Sequence, residues 1–175
     1  MTSRAHFHCP ACGAVSPADR LVWRCPCGSH LNLAPGPGLA RGEIVRDDPS
    51  LWRYRAALAL GRPRVTLGEG WTPLATRRWD GAMVHFKLES QMPTGSFKDR
   101  GTAIMLNHLI ELGVDRIHED SSGNAGASLA TYGAAAGVRC RIYVPAAAPA
   151  GKLVQIAAAG AELRAVAGTR EAVTE

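Results

Sequence analysis

Three groups of residues have types and spacings that could do chemistry. The first is Pro93-Thr94-Gly95-Ser96-Phe97-Lys98-Asp99-Arg100-Gly101. Ser96 followed three residues later by Asp99 has the form of a capping box, which predicts a helix opening here with Lys98 in its first turn. An ammonium at that position meets the positive end of the helix macrodipole and the neighbouring Arg100, while Asp99 compensates in part. A lysine set against that field is a candidate nucleophile, because a Schiff base forms from the neutral amine. The plainer alternative is an exposed lysine beside a cap.

The second group is Cys9, Cys12, Cys25 and Cys27, a Cys-x-x-Cys and a Cys-x-Cys separated by twelve residues and followed by Gly13 and Gly28. This is the pattern of two knuckles closing on one tetrahedral Zn²⁺. Cys25-Pro26-Cys27 is tighter than the usual pair, so His6, His8 and His30 stand as alternative ligands. Four cysteine ligands leave no open coordination position, which points to a structural ion. The fifth cysteine, Cys140, falls on an apolar strand face and reads as core.

The third group is Ser121-Ser122-Gly123-Asn124, continued by Ala125 and Gly126. A strand-to-helix turn of this composition presents backbone N–H groups at a helix N-terminus, a ready site for an anion. A merely capped turn is the alternative. A dinucleotide site is excluded, since the turn lacks GxGxxG spacing and the following strand ends in Pro145 with no acid for a ribose. Glu69 and Thr72 lie in the tight loop Leu67 to Leu74, where binding and scaffolding are both open readings.

The elements that must position these groups follow from periodicity. A cysteine-rich head, residues 1–34, is followed by Ala34-Pro35-Gly36-Pro37-Gly38, which breaks regular structure. Residues 35–70 read as a linker with a short helix between Asp47 and Leu60, carrying Leu51, Tyr54 and Leu58 at helical spacing and Asp48 as its cap. From residue 71 to 175, strands and helices alternate: a strand Met83 to Leu88, a helix Phe97 to Leu112, a strand Arg116 to Glu119, an alanine-rich helix to Gly137, and a strand Arg139 to Val144. A helix Gly151 to Ala159 and a strand Glu162 to Val166 follow. This predicts an α/β architecture, a three-layer parallel sheet covered on both faces. Ala125, Ala127, Ala130, Gly133 and Ala134 would let a helix lie close against it. Thr169 looks like a further helix cap and the sequence stops at Glu175, so the sheet is expected to be incomplete: a fragment, a truncated gene, or a subunit completed by a partner.

Composition narrows the function classes. Twenty Lys and Arg against fifteen acids give a formal charge of +5, but the arginines are scattered, so solubility and affinity for small anions are expected and no nucleic-acid partner. No apolar run is long enough to cross a membrane and the N-terminus lacks a signal-peptide pattern. The expected compartment is the cytoplasm, where clustered cysteines hold metal rather than disulfides.

The nine residues from Pro93 to Gly101 resemble the pyridoxal-phosphate (PLP) lysine signature of fold-type II PLP enzymes, and the Phe-Lys-Asp-Arg-Gly variant is similar to threonine synthase and its relatives. Leu67-Gly68-Glu69-Gly70-Trp71-Thr72-Pro73-Leu74, Lys87-Leu88-Glu89, Ser121-Ser122-Gly123-Asn124 and the cysteine head extend the resemblance over nearly the whole chain. The resemblance implies that Lys98 carries PLP as a Schiff base and then moves protons at the substrate's carbons. It also implies that Asn124 hydrogen-bonds the cofactor's 3'-oxygen, and that Ser121, Ser122, Gly123 and Ala125 hold the substrate carboxylate. The head is similar to a short zinc ribbon found on some such proteins. The implied reaction is a carbon–oxygen lyase step, O-phosphohomoserine and water giving threonine and phosphate.

Two departures bear on this. Ala125 stands where threonine synthases commonly have threonine, and the preceding pair is Ser-Ser rather than Ser-Thr. The missing hydroxyl keeps β-elimination or β-replacement on another amino acid as an alternative. The later glycine-rich loop for the cofactor phosphate, and the residue facing the pyridine nitrogen, have no counterpart here, so the chain alone is expected to bind PLP weakly. A non-catalytic remnant or a subunit needing a C-terminal half is the second alternative, with homo-oligomers expected through the edges of a half-built sheet.

Overall fold

The computed structural model describes residues 5–36, 38–58, 60, 62–168 and 170–174. Pro37 of the predicted linker and Thr169, the predicted cap, lie outside the described residues. The head is a three-stranded antiparallel sheet in the order β2-β1-β3, formed by β1 (His6–His8), β2 (Val15–Pro17) and β3 (Asn32–Leu33).

Between head and sheet, the expected helix of residues 47–60 is reduced to one 3₁₀ turn, Leu51–Tyr54. Its cap is Ser50, whose Oγ accepts from Trp52 N at 3.2 Å. Asp48 instead accepts from the backbone N–H and hydroxyl of Ser50, at 3.0 and 2.5 Å, a local bond that competes with helix extension. Leu51, Trp52 and Val65 are buried in the same core as the parallel sheet.

The strand expected at Met83 to Leu88 is present as β5 (Ala82–Lys87), but it belongs to no parallel sheet. It forms an antiparallel hairpin with β4 (Leu74–Trp79), Trp79 opposite Ala82. The two-residue loop Asp80-Gly81 is the reason: Asp80 at φ 46 and Gly81 at φ 78 adopt the left-handed conformations that close a tight hairpin.

The parallel sheet has the order β6-β7-β8, from β6 (Arg116–Glu119), β7 (Arg139–Pro145) and β8 (Glu162–Val166). Helix α1 (Lys98–Glu111) precedes it, and α2 (Asn124–Ala136) and α3 (Ala150–Ala158) are the crossovers. Ile117, Ile142 and Val144 point to one face and are buried with Ala127, Ala130, Tyr132 and Ile156, as alternation along a strand requires. Gly133 lets α2 sit on β7: a Cβ there would fall 2.1 Å from Cys140 Sγ. Ala134, expected to share that role, is exposed. Cys140 is half-buried against the core, its thiol pushed up to about 11 by burial.

The other face departs from the prediction of full cover. His118 and Tyr143 meet edge to face there, 5.8 Å between ring centroids, and α4 (Arg170–Thr174), with Val173 buried, packs against β7. Arg141 and Arg164 on that face pair with Glu162 and keep contact with water. Among the described residues, no helix is long and apolar enough to cross a membrane.

Candidate active site and metal centre

Lys98 is the first residue of α1, as its spacing predicted, and is exposed. Its Nζ lies 4.6 Å from the Phe97 ring centroid and, among the described residues, has no hydrogen-bond or ion-pair partner. The capping box itself does not form. Ser96 Oγ accepts from Lys98 N at 3.1 Å, but the Asp99 carboxylate turns inward, fully buried, and accepts from Thr94 N (2.8 Å), Thr94 Oγ1 (2.5 Å) and Ser128 Oγ (2.6 Å). Arg100 likewise turns away from Lys98's amine toward Glu89, bonding both carboxylate oxygens at 2.8 Å, and reaches Thr72 Oγ1 at 3.3 Å. That bidentate hydrogen bond holds the Glu89 carboxyl down at about 2.

The loop before Lys98 is fixed from a third side, since Gln155 of α3 donates to the Thr94 carbonyl at 3.1 Å. Three elements distant in sequence therefore converge on the segment that presents the amine. Sequence reasoning missed Ser128 and Gln155 because nothing in their spacing relates them to Lys98, and it gave Thr94, inside the lysine motif, no role of its own.

Ser121 to Asn124 follow β6 at its C-terminal end, where ligands of parallel α/β sheets bind. Gly123 is the extended N-cap of α2 and no side chain caps the helix, so its leading N–H groups are not claimed by a cap. Gly123 N–H donates to Ser121 Oγ at 3.3 Å. Ser121, Ser122, Gly123 and Ala125 are half-buried and Asn124 is exposed. Gly126 admits no side chain, because a Cβ would lie 2.0 Å from the Ser121 carbonyl oxygen. A free amine at one helix start and an uncapped donor turn at the start of its neighbour, tied together by Asp99 and Ser128, form a donor set that fits PLP.

Glu69 resolves toward scaffolding. It is fully buried and accepts from Trp52 Nε1 (2.6 Å), Thr66 Oγ1 (3.0 Å), Leu67 N (2.8 Å) and Tyr132 OH (2.8 Å). Burial and the Glu69 bond push the Tyr132 phenol upward. Thr72 Oγ1 donates to Glu89 at 2.6 Å, and the Lys87 amine donates to the Thr72 carbonyl.

In the head, the Sγ atoms of Cys9, Cys12, Cys25 and Cys27 all lie within 4.8 Å of one another. Cys9–Cys27 and Cys12–Cys25 are 3.6 Å apart, close to the roughly 3.8 Å edge of a tetrahedron with metal–sulfur bonds near 2.3 Å. Gly13 and Gly28, at φ 74 and 88, donate back to the Cys9 and Cys25 carbonyls and close the two knuckles. The backbone N–H of Cys12 holds the Cys9 thiol down at about 6. The N–H of Cys27 pulls Cys25 the same way, but burial and the surrounding thiols push it up to about 12. Cys12 is also raised: the Ala14 N–H lowers it, and the Cys9 and Cys27 side chains outweigh that. The Cys9 thiolate is favoured while those of Cys12 and Cys25 are opposed, and a bound cation would offset that opposition. His6, His8 and His30 are not in the cluster.

Residues 65–175 match the family described as pyridoxal-phosphate dependent enzyme. A threonine synthase of Methanosarcina acetivorans is 32% identical over 173 residues, 93% of this chain and 43% of that protein. The chain thus spans less than half the length of that relative. Among solved structures, a hydrogen sulfide-producing enzyme from Fusobacterium nucleatum is similar at TM-score 0.56 and 28% identity, over 59% of this chain and 36% of that one. A serine racemase from Dictyostelium discoideum is similar at TM-score 0.53 and 33% identity, over 59% and 35%. The chain belongs to the pyridoxal-phosphate dependent enzymes of fold type II.

Proposed function

We propose that this chain supplies the lysine-bearing half of a PLP-dependent carbon–oxygen lyase of the threonine-synthase type, acting on O-phosphohomoserine and water to give threonine and phosphate. The observation that carries it is the exposed, unpaired Lys98 amine at the start of α1, a helix tied through Asp99 and Ser128 to α2, whose first turn no side chain caps. Lys98 Nζ would hold the cofactor and, once freed by substrate, take and return the proton at the substrate's reacting carbons. Asn124 would donate to the cofactor's ring oxygen, and the turn of Ser121, Ser122, Gly123 and Ala125 would bind the substrate carboxylate. When bound, PLP supplies the electron sink for the charge left as a substrate C–H bond breaks. The phosphate cradle would come from a longer parent protein or a complementing half. The metal of the four-cysteine head is proposed to be a structural Zn²⁺, in a cytoplasmic protein.

Ala125 supports a second reading, β-elimination or β-replacement on another amino acid, because it removes a hydroxyl from the substrate turn. Two experiments test the proposal. Borohydride reduction of the protein with PLP should leave a covalent cofactor adduct on the peptide containing Lys98, absent in Lys98→Ala. If wild type gives no adduct, the chain is a non-catalytic module and the lyase reading fails for it. Phosphate release from O-phosphohomoserine by the chain joined to a complementing half then separates the two substrate readings.

A further inference from the structure

On the face of the parallel sheet turned away from α2 and α3, strand register sets Arg116 beside Arg139, His118 beside Arg141 and Glu162, and Tyr143 beside Arg164. Parallel sheets ordinarily bury both faces and read as continuous apolar runs. These strands instead alternate arginine with apolar residues, as in Arg139-Cys140-Arg141-Ile142. Like charges directly opposite on neighbouring strands destabilise a sheet, so the Arg116–Arg139 pair is a standing cost that an anion between the two would offset.

The charges there are not balanced. Arg139 pairs with Asp115 at 2.7 Å, but the two are 64% and 79% exposed, so water screens the pair and it can exchange partners. Arg141 donates to Glu162 at 2.7 Å, and Arg164 pairs with the same carboxylate. Arg116 has no hydrogen-bond or ion-pair partner among the described residues and acts on Asp115 only through space. Four guanidinium groups thus share two carboxylates, Asp115 and Glu162. Glu119 and Asp120 lie at the other end of β6 and line a separate cleft with His118, Tyr143 and Val173.

Where these strands begin, Arg116, Arg139, Cys140, Arg141 and Glu162 line a cleft of about 160 Å³. That is several times the roughly 30 Å³ that one water occupies, room for a small ion or a short-chain acid. Arg116 opens β6, and the turn Ser121 to Asn124 follows its far end. The cleft is therefore at the opposite edge of the sheet from the proposed active site, and its ligand is neither the cofactor nor the substrate held there.

We propose that this cleft is a binding site for a small dicarboxylate. Four guanidinium groups against two carboxylates leave an excess of two positive charges, which a dianion neutralises. A guanidinium fork takes a carboxylate bidentately, and Arg116 and Arg139 offer two forks side by side. Strands lie about 4.8 Å apart and same-face residues about 6.6 Å apart along each, so Arg116, Arg139 and Arg141 form a spread of charge. Two carboxylates on a short chain span that spread better than one compact tetrahedral ion. The inference goes beyond the PLP reading and does not rest on it.

The test is a titration of arginine-labelled protein with succinate at constant ionic strength. It follows the Nε–Hε resonances of Arg116 and Arg139, identified by their loss in Arg116→Gln and Arg139→Gln. Saturable shifts at both are expected, with Arg77 of the β4-β5 hairpin unmoved. Arg116→Gln, a change at an exposed side chain, should weaken the binding read at Arg139 about tenfold or more, because charged hydrogen bonds are lost. Acetate should bind more weakly than succinate, and Lys98→Ala should bind succinate as the wild type does. No saturable shift, or an equal one with chloride or acetate, overturns the site. Sulfate binding as tightly as succinate overturns the dicarboxylate assignment, and loss of binding in Lys98→Ala puts the ligand at the active site instead of the cleft. The Lys98 adduct with PLP is read separately, so failure of the cleft and failure of the PLP reading give different results.

Discussion

Ser128 Oγ donates to Asp99 Oδ1 at 2.6 Å, and that bond fastens the second turn of the helix beginning at Asn124 to the first turn of the helix beginning at Lys98. Asp99 is buried and receives two further bonds from Thr94. Removing its carboxylate leaves three donors without an acceptor. Asp99→Ala should therefore cost about 3 kcal/mol or more, and Ser128→Ala only about 1–2 kcal/mol, because Asp99 keeps its Thr94 partners. Urea unfolding of both variants measures this. Ser128→Ala proving the costlier would mean that Asp99 is not the organising group.

Acid stability should depend on Glu89. Its carboxyl is lowered from 4.5 to about 2, chiefly by the Arg100 hydrogen bonds. A carboxyl lowered in the folded state stabilises above its unfolded value and loses that contribution as pH falls toward its folded value. Stability should thus decline between pH 4.5 and about 2 in the native chain, and more gently in Glu89→Gln. Parallel slopes in urea titrations across that window would refute the assignment.

Gly133 and Cys140 make a packing pair open to a double-mutant cycle. A Cβ at Gly133 would meet Cys140 Sγ at 2.1 Å and the Val138 carbonyl at 3.3 Å. Gly133→Ala gains roughly 1 kcal/mol of helix propensity against an overpacking cost of about 1–3 kcal/mol. A net loss is expected. Adding Cys140→Ala removes the sulfur from the clash and should return much of that loss, which thermal denaturation of the four proteins would show.

The cysteine head should hold one metal ion per chain, countable by elemental analysis. Its three short strands have little core of their own, with Cys9 and Cys25 among its few buried side chains. Chelation should therefore raise amide exchange in residues 6–17 while those of α2 stay protected, a local rather than a global opening. Cys9→Ser should act like the chelator. Uniform loss of protection along the chain would instead make the metal a determinant of the whole fold.

Much of this was legible because local physics decides it. The strands at 116–119 and 162–166 and the helices on either side follow from periodicity and glycine stops. The cysteine pairs and their glycines announce a four-cysteine cluster that could hold a metal ion, and the placement of Lys98 in a first helical turn needed only its near neighbours. Tertiary structure decided where the polar groups point. Asp99 has the spacing of a capping residue, yet a buried carboxylate does better with three donors, and one of them, Ser128, is brought near only by helix packing. Glu69 became scaffold because the fold supplies Trp52 and Tyr132 as donors. The strand 82–87 was readable as a strand, but its partner was set by the tight turn at Asp80-Gly81. The contact of Arg53 with Trp71, its guanidinium carbon 4.0 Å from the ring centroid, carried no signal in the sequence, since it joins residues eighteen apart that only the fold brings together. Periodicity along a chain reports which face is buried, and only the folded chain determines which polar atoms meet there.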